Sequence, residues 1–158
     1  MKIKYPQHYE GLKANDSSTS DYAYRIITAK GYPGYMLWLD GGATTLWETW
    51  QAEDSHNHHM YSDCMSWLMK SLIGIRPTFD APSFIEAIIQ PAIVGGLEWA
   101  KGALITCKGR IASEWRRHEA GVTLNVSIPE GVRAKVCLPD GRVAIIQGMR
   151  ETSFEINQ

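Results

Sequence analysis

No stretch of the chain stays apolar for the ~20 residues that a bilayer-spanning helix needs. No run of basic residues is present either. Lys and Arg number 16 and Asp and Glu number 17, a net charge of −1. A near-neutral chain without a basic run has no electrostatic basis for binding nucleic acid or an anionic membrane, and neither partner is expected. The N-terminal MKIKYPQHYEGLK lacks the apolar core of a signal peptide, so a cytoplasmic location is expected if the chain stands alone. Cysteine is scarce. Cys64, Cys107 and Cys137 lie far apart and form no C-x-x-C pair, which suggests free thiols in a reducing compartment and leaves a lone disulfide open. There is no glycine-rich phosphate loop and no G-x-S-x-G elbow. Phe is also rare, with 3 residues against 6 Trp and 7 Tyr. Amphipathic aromatics pack cores, and they also line clefts where a flat ring stacks on the C–H faces of a sugar.

What is present divides near Arg76-Pro77. The 158 residues, 44% of them apolar, suffice for one domain or for two small pieces with a shared core. The first half reads as helix. A polar tract from Asn15 to Ser20 ends in Ser20 and Asp21, which are expected to cap a helix running to about Lys30. Tyr22, Ile26 and Ala29 would share one face, and Gly31 and Pro33 stop the helix. A long segment rich in Gly, Trp and Thr follows, from Tyr32 to about Asn57. Within it, residues 35–39 read equally as short helix or short strand. A second helix is expected from His58 or His59 to about Ile73, with Tyr61, Cys64, Met65, Leu68 and Leu72 as its apolar stripe.

The second half alternates with a period of two. Val122, Leu124, Val126 and Ile128 point one way, and Thr123, Asn125 and Ser127 the other. After Pro129-Glu130-Gly131, the apolar residues Val132, Ala134, Val136 and Leu138 repeat the pattern. The two runs read as an antiparallel hairpin. Further strands are expected over 84–90, 97–107, 110–117 and 152–156. Six or seven short strands in ~80 residues indicate an antiparallel sandwich. The helical stripes are too broad to bury on each other, so other helices or self-association are expected to cover them.

The chemistry concentrates between Gly31 and Asp63. Glu48 sits between Trp47 and Trp50. A carboxylate flanked by aromatics loses solvation, which suits a general base that takes a proton from water. An ordinary solvated loop carboxylate is the competing reading. Glu53 and Asp54 are rival acids without aromatic neighbours. Ser55-His56-Asn57-His58-His59 lacks the i, i+4 spacing of a helical zinc site, so no metal and no other cofactor is expected. A helix start capped by Ser55 or Asn57, with one His turned into a cleft, is the simpler reading. Trp38, Trp47, Trp50 and Trp67 are candidates for core or for sugar platform, and for any single one of them core is the better reading.

Several strings together resemble the end of the catalytic domain of bacterial α-L-rhamnosidases. They are Tyr32-Pro33-Gly34-Tyr35, Gly42-Ala43-Thr44-Thr45-Leu46-Trp47-Glu48, Trp50 and Ser55-His56-Asn57-His58. Ala23-Tyr24-Arg25-Ile26 before them and Leu72-Ile73-Gly74-Ile75 after them extend the match. Ala100-Lys101-Gly102 to Trp115 looks like the first hairpin of the family's C-terminal β-sandwich. The resemblance implies an α+β chain: the last helices of a truncated (α/α)6 barrel over residues 1–76, then a small antiparallel β-sandwich over 77–158. It implies hydrolysis of terminal α-L-rhamnosides with inversion. Glu48 takes the place of the general base, and His58 that of a sugar-subsite residue, with Trp47 and Trp50 as substrate-binding neighbours. The general acid is expected on barrel segments outside this chain, so the chain alone is expected to be inactive. The alternative is a non-catalytic carbohydrate-binding or packing module.

Overall fold

The computed structural model describes residues 17–157. Helix α1 covers Ser17–Thr28. It begins inside the serine tract, so Ser20 and Asp21 are not its caps, and Asn15 and Asp16 lie outside the described residues. Ser20 is buried. The Asp21 carboxylate instead accepts a hydrogen bond from the Gly95 amide at 2.6 Å. The buried face of α1 is also not the expected one. Tyr24 packs against the main core, whereas Tyr22, expected inside, is 61% exposed.

Helix α2, Tyr35–Asp40, resolves the ambiguous segment as helix. The next helical stretch runs as expected from about residue 59 to 72, but it is not uniform. A 3₁₀ turn at His59–Tyr61 leads into α3, Asp63–Trp67, which widens into a π turn at Leu68–Leu72. Its N-cap position is His58, with no side-chain cap. The expected capping by Ser55 or Asn57 is therefore corrected. The Ser55 hydroxyl accepts from the Asn57 amide at 3.3 Å instead, a local turn that ends before the helix begins.

Gly74 ends the helical half. Its φ of +79° is left-handed, and a Cβ there would stand 2.2 Å from the Pro91 nitrogen. Only glycine turns the chain at that point without a clash.

Eight strands follow: β1 Ile75–Pro77, β2 Glu86–Ile89, β3 Trp99–Thr106, β4 Gly109–His118, β5 Gly121–Ile128, β6 Arg133–Cys137, β7 Val143–Gln147 and β8 Arg150–Asn157. They form two four-stranded sheets, β1-β2-β6-β7 and β3-β4-β5-β8. All neighbours are antiparallel except β2 and β6.

The expected hairpin between β5 and β6 does not form. Pro129-Glu130-Gly131 carries the chain from one sheet to the other. β5 pairs with β4 and β8, and β6 with β2 and β7. Both strands still point one apolar face inward, because both sheets face the same core. Alternation sets which side is buried but not which strand is the neighbour. β1 and β7 are additional to the expected strands. β7 is hidden in the sequence because Val143 and Ile145, on its outer side, are apolar too and half exposed.

The core lies between the sheets and includes Ile89, Ile111, Leu124, Val132 and Val136, each with no measurable exposure. Leu72 and Ile73 from the helical half join it. Trp115, fully buried, donates its indole N–H to the Leu72 carbonyl at 3.0 Å. That bond satisfies one of the last carbonyls of the helical stretch, which would otherwise be orphaned in the core. Arg117 adds a second clasp through bonds to the Ile93 and Val94 carbonyls at 3.4 and 3.2 Å.

Candidate functional site

The site begins where α2 ends. The amides of Gly41 and Gly42 close the helix on the carbonyls of Leu37 and Leu39. Gly42, at φ +86°, takes the left-handed turn that follows the helix. Residues 45–48 then run beside residues 55–58. The Glu48 amide donates to the Ser55 carbonyl at 2.8 Å, and the His58 amide to the Leu46 carbonyl at 2.7 Å. The Thr45 hydroxyl bonds to the His56 carbonyl. At the tip, Ala52 adopts φ +58°, and the Thr49 hydroxyl accepts from the Glu53 amide at 3.2 Å. The long segment is thus a closed loop that spends its polar groups on itself.

Aromatic side chains fix this loop to the helices. Trp38 is 2% exposed. It stacks on Trp50 with centroids 4.4 Å apart and donates its indole N–H to the Thr49 carbonyl at 3.1 Å. Tyr35 and Tyr61 pack around the pair, mostly edge-on. Tyr35 donates its hydroxyl to the Tyr61 carbonyl at 3.0 Å. Burial, with Cys64 next to it, pushes the Tyr35 phenol up to about 12. Burial likewise pushes the Cys64 thiol up. Both groups therefore remain neutral parts of the packing at ordinary pH.

The two strands of the loop bring Glu48 and His58 together. Glu48 Oε2 lies 3.4 Å from His58 Nδ1 and 3.3 Å from the Ser55 amide. The side chains are 39% and 34% exposed, so water reaches both. The flanking tryptophans do not enclose the carboxylate. Trp47 stacks on His56 at 4.5 Å, and Trp50 belongs to the Trp38 stack. Glu53 and Asp54 are exposed at the loop tip.

Two participants were not legible beforehand. One is the Ser55 amide, a backbone donor that no side-chain pattern announces. The other is His56, which belongs to the SHNH string but acts as the stacking partner of Trp47. Its Nε2 also lies 3.1 Å from the Ala52 carbonyl.

A carboxylate beside an imidazole on an aromatic-backed loop suits proton transfer to or from water, and it suits recognition of a sugar ring. Comparison with known proteins narrows this. Residues 74–153, half of the chain, match the family model described as the bacterial alpha-L-rhamnosidase C-terminal domain. Residues 12–72 match that of the bacterial alpha-L-rhamnosidase 6 hairpin glycosidase domain. The chain belongs to the bacterial α-L-rhamnosidase family.

An alpha-L-rhamnosidase of Alteromonas sp. (strain LOR) is 27% identical over 135 residues, covering 78% of this chain and 14% of that protein. The solved alpha-L-rhamnosidase of Dictyoglumus thermophilum superposes with a TM-score of 0.69 at 32% identity, over 75% of this chain and 14% of that one. The alpha-L-rhamnosidase of Aspergillus terreus, at 23% identity, shares the fold with a TM-score of 0.78 over 89% of this chain and 18% of that one. The chain thus spans about 14% of the length of the curated relative it matches. Its fold is the end of a six-hairpin helical barrel followed by a β-sandwich.

Proposed function

We propose that the chain is the C-terminal part of an inverting glycoside hydrolase that removes terminal α-L-rhamnose. Glu48 is the general base. It accepts a proton from a water molecule, and that water attacks the anomeric carbon while a separate acid protonates the leaving oxygen. In inverting glycosidases the two carboxyl groups stand about 6.5–9.5 Å apart, leaving room for the water between base and sugar. Glu48 supplies one of them. The acid comes from the remainder of the barrel, so the chain by itself does not hydrolyse rhamnosides.

His58 hydrogen-bonds the sugar and braces Glu48 on one side. Trp47 and Trp50 form the apolar wall behind the subsite, and their own stacks hold them rigid. The domain division at residues 76 and 77 belongs to the same reading. The two family matches, which meet at residues 72 and 74, support it. Tyr22, Tyr32, Leu39, Met60 and Met65 are exposed on the helical half. The missing barrel helices cover them, or a second copy does.

The observation that carries this reading is the contact of Glu48 with His58 in a loop that matches the family's hydrolytic domain. The test is Glu48→Gln in the assembled enzyme. The substitution keeps the shape and removes the base, so kcat should fall on the order of 10²–10⁴-fold with folding intact. Full retention of rate would remove Glu48 from that role.

A further inference from the structure

The sandwich carries a concave feature of its own, on the outer face of one sheet. Residues paired across neighbouring strands share a face of the sheet. In the sheet β3-β4-β5-β8, one such row is Lys101, Glu114, Asn125 and Ser153. The next row is Ala103, Ala112, Ser127 and Glu151. Both rows face outward, because the alternate residues Ile111, Trp115, Leu124 and Val126 are in the core.

All residues of the two rows except Ala103 line an open cleft of about 410 Å³. That lies within the size range of small-molecule sites, ~300–1,000 Å³. Small side chains make the floor, and long polar ones make the walls. Arg110 lines the cleft as well. Two cations, Lys101 and Arg110, then balance two carboxylates, Glu114 and Glu151. Such a cleft favours neither an anion nor a cation. It offers many donors and acceptors: an amide at Asn125, hydroxyls at Ser127 and Ser153, and the charged heads around them. That inventory matches a neutral polyhydroxylated ligand. The same outward face continues to Trp99, 48% exposed, with the Arg116 guanidinium 5.6 Å from its ring centroid. Trp99, on β3, thus puts an exposed aromatic on the same face as the cleft.

Among the described residues, none from the helical half lines this cleft. Its contacts with the same sheet run to the opposite face, through Leu72 on Trp115 and Ile73 against Gly102.

We propose that this cleft is an ancillary carbohydrate-binding site that takes a neutral oligosaccharide, the sugar chain carried by the glycoside substrate. The identity of the sugar rests on the reading of the Glu48 site. The existence of the cleft does not.

The test is an amide NMR titration of the chain with L-rhamnose and with a rhamnosyl-glucose disaccharide. Millimolar disaccharide should shift the amides of Lys101, Glu114, Asn125 and Ser153. The double variant Asn125→Ala, Ser153→Ala should bind about tenfold more weakly, with the Trp115 indole signal unchanged as proof of folding. Unshifted cleft amides, or undiminished affinity in the folded double variant, would overturn the proposal. Shifts confined to Glu48 and His58 would overturn it while supporting the hydrolytic site. Shifts confined to the cleft would support it, and the Glu48 reading would stand on its own test in the assembled enzyme.

Discussion

Glu48 Oε2 and His58 Nδ1 lie 3.4 Å apart although ten positions separate them in the chain. The contact exists because Leu46 and Glu48 bond through their backbones to His58 and Ser55. A carboxylate held in this way points in one direction, which would lower the cost of orienting it in the proposed role of general base.

The partner of the base should matter for catalysis more than for folding. The pair is more than a third exposed, so its contribution to stability is under about 1 kcal/mol. Once a sugar displaces water, a hydrogen bond to a charged group is worth about 1.5–3 kcal/mol. His58→Ala in the assembled enzyme should therefore lower kcat/KM by about 10- to 100-fold and leave the melting temperature nearly unchanged. Steady-state kinetics with a rhamnoside, alongside thermal denaturation, separates the two effects. An unaltered kcat/KM would exclude His58 from the site.

The Trp115 indole ties the helical stretch to the sandwich through the Leu72 carbonyl. Trp115→Phe keeps an aromatic in the core but leaves the Leu72 carbonyl without its donor. The orphaned carbonyl costs about 1–3 kcal/mol, and the smaller ring adds a cavity term. Denaturant unfolding of the chain should show a loss of about 2–4 kcal/mol. A loss below about 0.5 kcal/mol would mean that water replaces the indole N–H.

Alkali should loosen the aromatic cluster under the loop. Tyr35 has its phenol pKa raised to about 12 by burial, with Cys64 adding to the rise. An unfolded tyrosine titrates near 10. Below pH 10 both states hold the proton and the full stability is present. Above it the unfolded state loses the proton first, so stability falls as pH rises from about 10 to 12. Tyr35→Phe should flatten that fall, as read by tryptophan fluorescence across the same pH range. An identical alkaline profile in the variant would place the titration elsewhere.

Much of this chain was legible from local pattern alone. The 3.6-residue spacing around Leu68 and Leu72 placed the last helix. The period-two runs at Val122–Ile128 and Val132–Leu138 identified strands and their buried faces. The strings around Glu48 and His58 pointed to the family and to the residues of interest. These features are local. They depend on side-chain order and on backbone preference within a few residues, and a single sequence records both.

The tertiary structure decided what depends on distant partners. Whether β5 pairs with β6 or with β8 is a choice among strands with equivalent inward faces. It is settled by which register lets Val122 meet Ile156 and Leu124 meet Phe154 in one sheet. The face that α1 buries was decided by its packing, with Tyr24 against the core and Asp21 bonded to Gly95 across 74 positions. The Glu48 loop turns at its tip through a left-handed Ala52, which no propensity favours. The outer cleft exists only once four separate strands lie side by side. Pattern determines what each segment buries, and packing determines against which segment it does so.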